Sequence, residues 1–155
     1  MNRSFIAIAI AGIVGTSCSN QPSAELPNES HSIAGTWRLV TAQTITKGDT
    51  VTTFPVPGQE MIKVFTADNQ FAFFRHDINM GKDSSAYYDS GSGTYTLSGD
   101  NYSEHLAYCS ARGWENKDFH FTLQVKNDTL VQKGIEKIDS LNIDHEIVEI
   151  YSRKH

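Results

Sequence analysis

Residues 119–133 read FHFTLQVKNDTLVQK. Phe119, Phe121, Leu123 and Val125 alternate with His120, Thr122, Gln124 and Lys126. A period of two puts the first set on one face of a β-strand and the second on the other. Asn127-Asp128 breaks the run, and Thr129 to Lys133 resumes it. Two such residues between β-like runs predict a tight hairpin, because Asn tolerates the positive φ that short turns need. A strand apolar on one side only is half-buried, so the apolar side faces a core.

The same pattern extends in both directions. Strands are expected over 36–46 (TWRLVTAQTIT), 50–54 (TVTTF), 61–66 (MIKVFT), 70–77 (QFAFFRHD), 92–97 (SGTYTL), 102–110 (YSEHLAYCS) and 145–153 (HEIVEIYSR). KGD at 47–49, ADN at 67–69 and SGDN at 98–101 are the turns between them. No window of ten or more residues carries a helical period; 135–144 has room for one helical turn. Eight or nine strands joined as successive hairpins predict an all-β fold, an eight-stranded up-and-down antiparallel barrel. Closure removes the edge strands, and eight strands enclose space for side chains or one small ligand.

The chain has 155 residues, and its start does not belong to this pattern. Arg3 precedes the apolar run FIAIAIAGIV at 5–14, the length of a signal-peptide core and too short for a lasting membrane span. GTSC at 15–18 comes next, and its cysteine resembles that of a bacterial lipobox, which implies lipidation of Cys18 and cleavage before it. Gly15 stands where that motif usually has Leu. The expected division is a signal peptide over 1–17, a lipidated Cys18 with a Pro- and Ser-rich tether to residue 32, and one barrel domain over 33–155. Such a domain buries about two-thirds of its unfolded surface.

Only Cys18 and Cys109 are present, so lipidation of the first leaves no intramolecular disulfide. Losing residues 1–17 removes Arg3 and takes the net charge from −5 to −6. No basic patch appears, which argues against a nucleic-acid partner. The absence of acidic residues at 19–22 favours an envelope position on the outer membrane facing the periplasm.

Pairing Leu97 with Tyr102 across the 98–101 turn puts Tyr95, Leu97, Tyr102, Glu104, Leu106 and Tyr108 on one inward face, with Cys109 outward. A carboxylate there costs several kcal/mol unless it is paired or hydrogen-bonded. The candidate partners of Glu104 are a tyrosine hydroxyl, Arg75 or Arg153. Glu104 is then a ligand's polar anchor, half of a structural pair, or a general acid or base. In the last strand, Ile147, Glu149, Tyr151 and Arg153 share one face and Val148, Ile150 and Ser152 the other, and either face suits the interior. His105 and His120 point outward, and no histidine spacing suggests a metal site. Residues 78–93 form a long polar loop with Tyr87 and Tyr88, a lid or a connector; Trp114, in the 111–118 loop, lines the mouth or caps a local cluster.

Gly35-Thr36-Trp37 resembles the G-x-W signature that opens the first strand of the lipocalins and their relatives, the calycins. The resemblance implies that Trp37 plugs the closed barrel end and that Arg153 packs across it. A guanidinium over an indole face would seal and pin that end. Over 35–153, GTWRLV, QEMIKVFTADNQFAFFRHD, GSGTYTLSGDNYSEH, FHFTLQVKNDTLVQKG and EIVEIYSR together resemble the small lipocalin-like lipoproteins of Bacteroidetes, whose function is unknown. Those proteins often carry a Trp where Phe73 stands and another near Tyr151. GTW also opens avidin-like barrels, but those line their site with several tryptophans and this chain has two.

The expectation is therefore a lipid-anchored, monomeric envelope protein whose barrel binds a small apolar or amphipathic molecule without a cofactor. Phe71, Phe73, Arg75, Tyr95, Glu104, Tyr108, Phe121, Leu123 and Tyr151 are the expected ligand-binding residues. Two other classes stay open: an enzyme using Glu104 and tyrosines as acid and base, and a protein-binding envelope module with a filled barrel.

Overall fold

A computed structural model describes residues 32–155. The signal segment, Cys18 and all of the tether but Ser32 lie outside the described residues. Nine strands succeed one another: β1 (Gly35–Thr46), β2 (Asp49–Phe54), β3 (Gln59–Phe65), β4 (Gln70–Asp77), β5 (Tyr88–Ser98), β6 (Asn101–Cys109), β7 (Lys117–Lys126), β8 (Thr129–Ile138) and β9 (Ile143–Lys154). All pair antiparallel, and β1 returns to pair with β9, so β1 and β3–β9 close an eight-stranded barrel. The described strands run from Gly35 to Lys154, and the described core residues from Ile33 to Tyr151. None of the described helices is long and apolar enough to cross a membrane.

The ninth strand, β2, is an addition at one end. The first half of β1, Gly35–Arg38, pairs with β3, and its second half, Ala42–Thr46, pairs with β2. A register shift between Leu39 and Thr41 in the β1–β9 ladder leaves Val40 unpaired. Such an extra residue bends the strand, and β1 parts from β3 just beyond it.

Two expected boundaries move. β5 begins at Tyr88, so the loop expected over 78–93 is shorter. β8 continues to Ile138, and the one helical turn of that region is Asp139–Leu141. The β7–β8 hairpin forms as expected, with Asn127 at φ 53° and Lys126 opposite Thr129.

The inward face of β6 departs from strict alternation. Leu97 opposes Tyr102 as expected, and Tyr102, Glu104 and Leu106 face in. Leu106 then pairs with Gly93 and Tyr108 with Ser92, which leaves Ala107 as an extra, unpaired residue. This β-bulge reverses the phase of the rest of the strand. Tyr108, expected inside, is 71% exposed, and Cys109, expected outside, is buried. Gly93 accommodates the bulge: a Cβ there would lie 1.8 Å from the His105 carbonyl oxygen.

The last strand resolves to one face. Ile147 and Tyr151 are buried, Glu149 lines the interior with them, and Arg153 closes the end of that row.

Candidate functional site

The barrel interior has two unlike halves. At the closed end Trp37 is 0% exposed, and its Nε1 donates to the Ile33 carbonyl at 2.8 Å. The Arg153 guanidinium lies 4.2 Å from the Trp37 ring centroid and donates to the Ala34 and Ser32 carbonyls. Gly35 adopts φ 137°, and a Cβ on it would approach Arg153 Nη1 to 2.8 Å. The G of G-x-W is thus the residue that lets the guanidinium through, and the W is what it covers.

Above this seal the interior is solid. Phe65 meets Tyr95 and Tyr102 edge to face at 5.4 and 5.9 Å, and Tyr102 stacks on Phe121 at 6.3 Å. Phe71, Leu123 and Leu130 are buried in the same cluster. Such aromatic pairs contribute about 0.5–1.5 kcal/mol each beyond their buried area. Phe71, Tyr95, Phe121 and Leu123, expected to contact a ligand, are buried in this packed half and do not line the open cavity beyond it.

Lys63 divides the halves. It is 4% exposed, and its ammonium sits 5.1–5.4 Å from the rings of Phe65, Phe71 and Tyr102. It donates to Glu104 Oε2 at 2.8 Å and to Gln132 Oε1 at 2.9 Å. Tyr102 donates to the same Glu104 oxygen at 2.6 Å. Glu104 does point into the barrel among tyrosines, but its cationic partner is Lys63, not Arg75 or Arg153. Arg75 shares the inner face of β4 yet turns to the rim, where it donates to Gln59 Oε1 at 2.8 Å and lies over the Phe54 and Tyr87 rings.

Beyond Lys63 the barrel is hollow. A cavity of about 250 Å³ is lined on one side by Met61, Phe73, Leu106, Trp114 and Phe119. Lys63, Glu104, Gln132, Glu136, Glu149 and Tyr151 form its polar side, with Asp89 and Ala111 also on its wall. Trp114, in the turn Arg112–Trp114, leans on Phe119 at 5.9 Å between centroids, so this loop residue does line the mouth. Cys109 is part of the wall, and burial raises its thiol pKa. Phe73, Glu104 and Tyr151 are the expected site residues that line the space. Tyr108 lies outside it.

The polar side is a ladder across β8 and β9. Gln132 opposes Glu149, and two rungs towards the mouth Glu136 opposes His145. Tyr151 donates to Glu149 Oε2 at 2.7 Å, and His145 Nε2 lies 2.9 Å from Glu136 Oε2. Burial raises the pKa of Glu149, against the opposing pull of Lys63. Burial likewise pushes Glu136 up to about 7, although its hydrogen bond with His145 pulls the other way. Desolvation disfavours the charged form of each carboxyl group. The Tyr102 and Tyr151 phenols are driven up by burial first and by neighbouring carboxylates second.

Lys63, Gln132, Glu136 and Glu149 were not singled out from the sequence as site residues. A signal existed for Lys63: it alternates in phase with Met61 and Phe65, and the β3–β4 hairpin sets it opposite Phe73. The histidines expected outward are outward; His105 meets Asp118 and His120 meets Ser103, each at 2.8 Å on exposed strand faces. Among the described residues no three metal-ligating side chains gather at one point.

Two solved structures resemble the chain. A lipocalin-like protein from Bacteroides uniformis ATCC 8492 aligns with a TM-score of 0.48 at 15% identity, over 78% of this chain and 97% of that one. An uncharacterized protein from Bacteroides eggerthii DSM 20697 gives 0.47 and 15%, over 78% and 98%. No curated protein matches. A family model described as a lipocalin-like domain matches residues 33–144, most of the chain and all but the last strand of the barrel. The chain belongs to the lipocalin-like domain family.

Proposed function

We propose that this barrel binds one small amphipathic molecule in the hollow half of its interior. The observation that carries the reading is the cavity itself: about 250 Å³, with an aromatic and aliphatic wall facing a polar one. Small-molecule sites are built this way, from apolar walls and a few placed polar groups. The volume lies just below the roughly 300 Å³ at which pockets for drug-sized ligands begin, so the guest is small. Its apolar part faces Phe73, Leu106, Trp114 and Phe119, and its polar part faces Glu104, Glu149 and Tyr151. Phe71, Tyr95, Phe121 and Leu123 support the floor from below. Glu104 already receives hydrogen bonds from Lys63 and Tyr102, which favours a binding role over acid–base catalysis at that carboxylate.

The protein acts in the cell envelope as a monomer, tethered through a lipid on Cys18 to the outer membrane and facing the periplasm. The apolar run at 5–14 and the cysteine after it support this placement. Arg153 holds Ser32 at the closed end, so the tether joins the barrel opposite its mouth. Native mass spectrometry of residues 24–155, purified from envelope extract of the source cells, tests the binding role. A reproducible small-molecule adduct that is lost in Glu104→Gln or Phe73→Ala is expected. Folded protein with a clean unliganded mass would count against a tight carrier.

A further inference from the structure

The charges on the cavity wall do not balance. Glu104, Glu136 and Glu149 line one cavity with Lys63 as its lysine. Lys63 is committed to Glu104, which also takes the Tyr102 hydroxyl. Arg75, the other cation on an inner strand face near the mouth, is turned to Gln59 and two aromatic rings. Glu136 keeps His145, and the hydrogen bond to Glu149 comes from the neutral Tyr151 hydroxyl. Asp89 adds a further acid on the wall. Facing these groups are the rings of Phe73, Trp114 and Phe119, whose π-faces attract cations.

We infer that the guest is a cation, a small arylalkyl or alkyl amine whose ammonium group sits against Glu149 and Glu136 while its apolar part lies on Phe73, Trp114 and Phe119. The inference rests on the cavity being a binding site and adds the sign of the ligand's charge. An ammonium places donors and a positive charge directly beside Glu149 and Glu136, whereas Lys63 donates to Glu104 and Gln132. A charge-assisted hydrogen bond inside a cavity is about twice as strong as a neutral one. A carboxylate guest gains no such pairing and meets these acids as repulsion once they ionise.

Binding of such a guest is coupled to protons. Both glutamates are held towards their protonated forms by burial. A cationic guest favours their ionised forms, so amine binding releases protons and tightens as pH rises towards 7. The titratable and charged groups that share the cavity wall with these glutamates or bond to them are Lys63 from β3, Asp89 from β5, Glu104 and Cys109 from β6, and His145 and Tyr151 from β9.

The test is calorimetric titration of residues 24–155 with three probes sharing one ring: phenethylamine, 2-phenylethanol and 3-phenylpropanoate. The amine is expected to bind at least about ten-fold more tightly than the alcohol, the scale of one hydrogen bond to a charged group, and the carboxylate most weakly. Proton release on amine binding is expected from its dependence on buffer ionisation enthalpy near pH 6. Glu149→Gln keeps an acceptor for Tyr151 and should erase most of the amine's advantage. Glu146→Gln, on the outer face where Glu146 pairs with Lys133, should leave it intact. An alcohol or carboxylate that binds as tightly as the amine would overturn the cationic assignment while sparing the binding site. Failure of all three to bind would overturn both.

Discussion

The two ends of this barrel are built from the same strands and obey opposite rules. Below Lys63 the inward positions are Trp37, Phe65, Phe71, Tyr95, Tyr102, Phe121, Leu123 and Leu130, all buried and packed against one another. Above it, inward positions of the same strands are Glu104, Glu136 and Glu149 beside Phe73 and Phe119, around open space. Alternation alone cannot separate the halves, because both keep the inward phase. Chemistry separates them. Apolar side chains interdigitate until no void remains. Buried carboxyl groups keep their desolvation cost unless a partner offsets it, so the space beside them stays available to a guest.

The sharpest way to break the contrast is to attack the solid half. Trp37→Ala removes the largest buried side chain together with the surface on which Arg153 rests, and should cost about 3–5 kcal/mol in urea unfolding. A loss below about 1 kcal/mol would mean that the closed end is not the stabilising half.

Next comes the divider. Lys63→Met leaves Glu104 buried without its cation and should cost about 3 kcal/mol, while Lys63→Met with Glu104→Gln should recover most of it. Equal losses in the single and double variants would show that Lys63 contributes packing rather than charge.

The hollow half answers to pH with a smaller effect. Glu136 keeps its proton in the folded state up to about pH 7 and releases it near 4.5 when unfolded. Between these values the unfolded chain binds fewer protons, so stability falls as pH rises, by on the order of 2 kcal/mol. Glu136→Gln should flatten that slope between pH 4.5 and 7 in paired thermal melts. A slope unchanged by the substitution would move the effect to another group.

The barrel was legible in the sequence because alternation and turn chemistry repeat along the chain and agree. The β7–β8 hairpin, the Leu97–Tyr102 register and the Trp37–Arg153 seal all formed as read. Tyr108 was misplaced because a single unpaired residue, Ala107, reverses strand phase. Nothing in LAYC marks the bulge; its trace is Gly93 on the neighbouring strand, legible only once the pairing is known. Glu104 was found because it interrupts an aromatic face. Lys63 was missed although its phase was readable, since a lysine in a strand is ordinarily taken for a solvent-facing residue. Glu149 lay on a strand with two plausible faces, and only the closure of β9 against β1 chooses between them.

The most direct test of a solid half joined to a hollow one is a methyl NMR titration of residues 24–155 with phenethylamine. Saturable shifts are expected at Met61, Leu106 and Ile147, which line the cavity, with Leu123 and Leu130, buried in the packed half, unmoved. Shifts centred on Leu123 and Leu130, or scattered over the outer faces of the strands, would contradict the account.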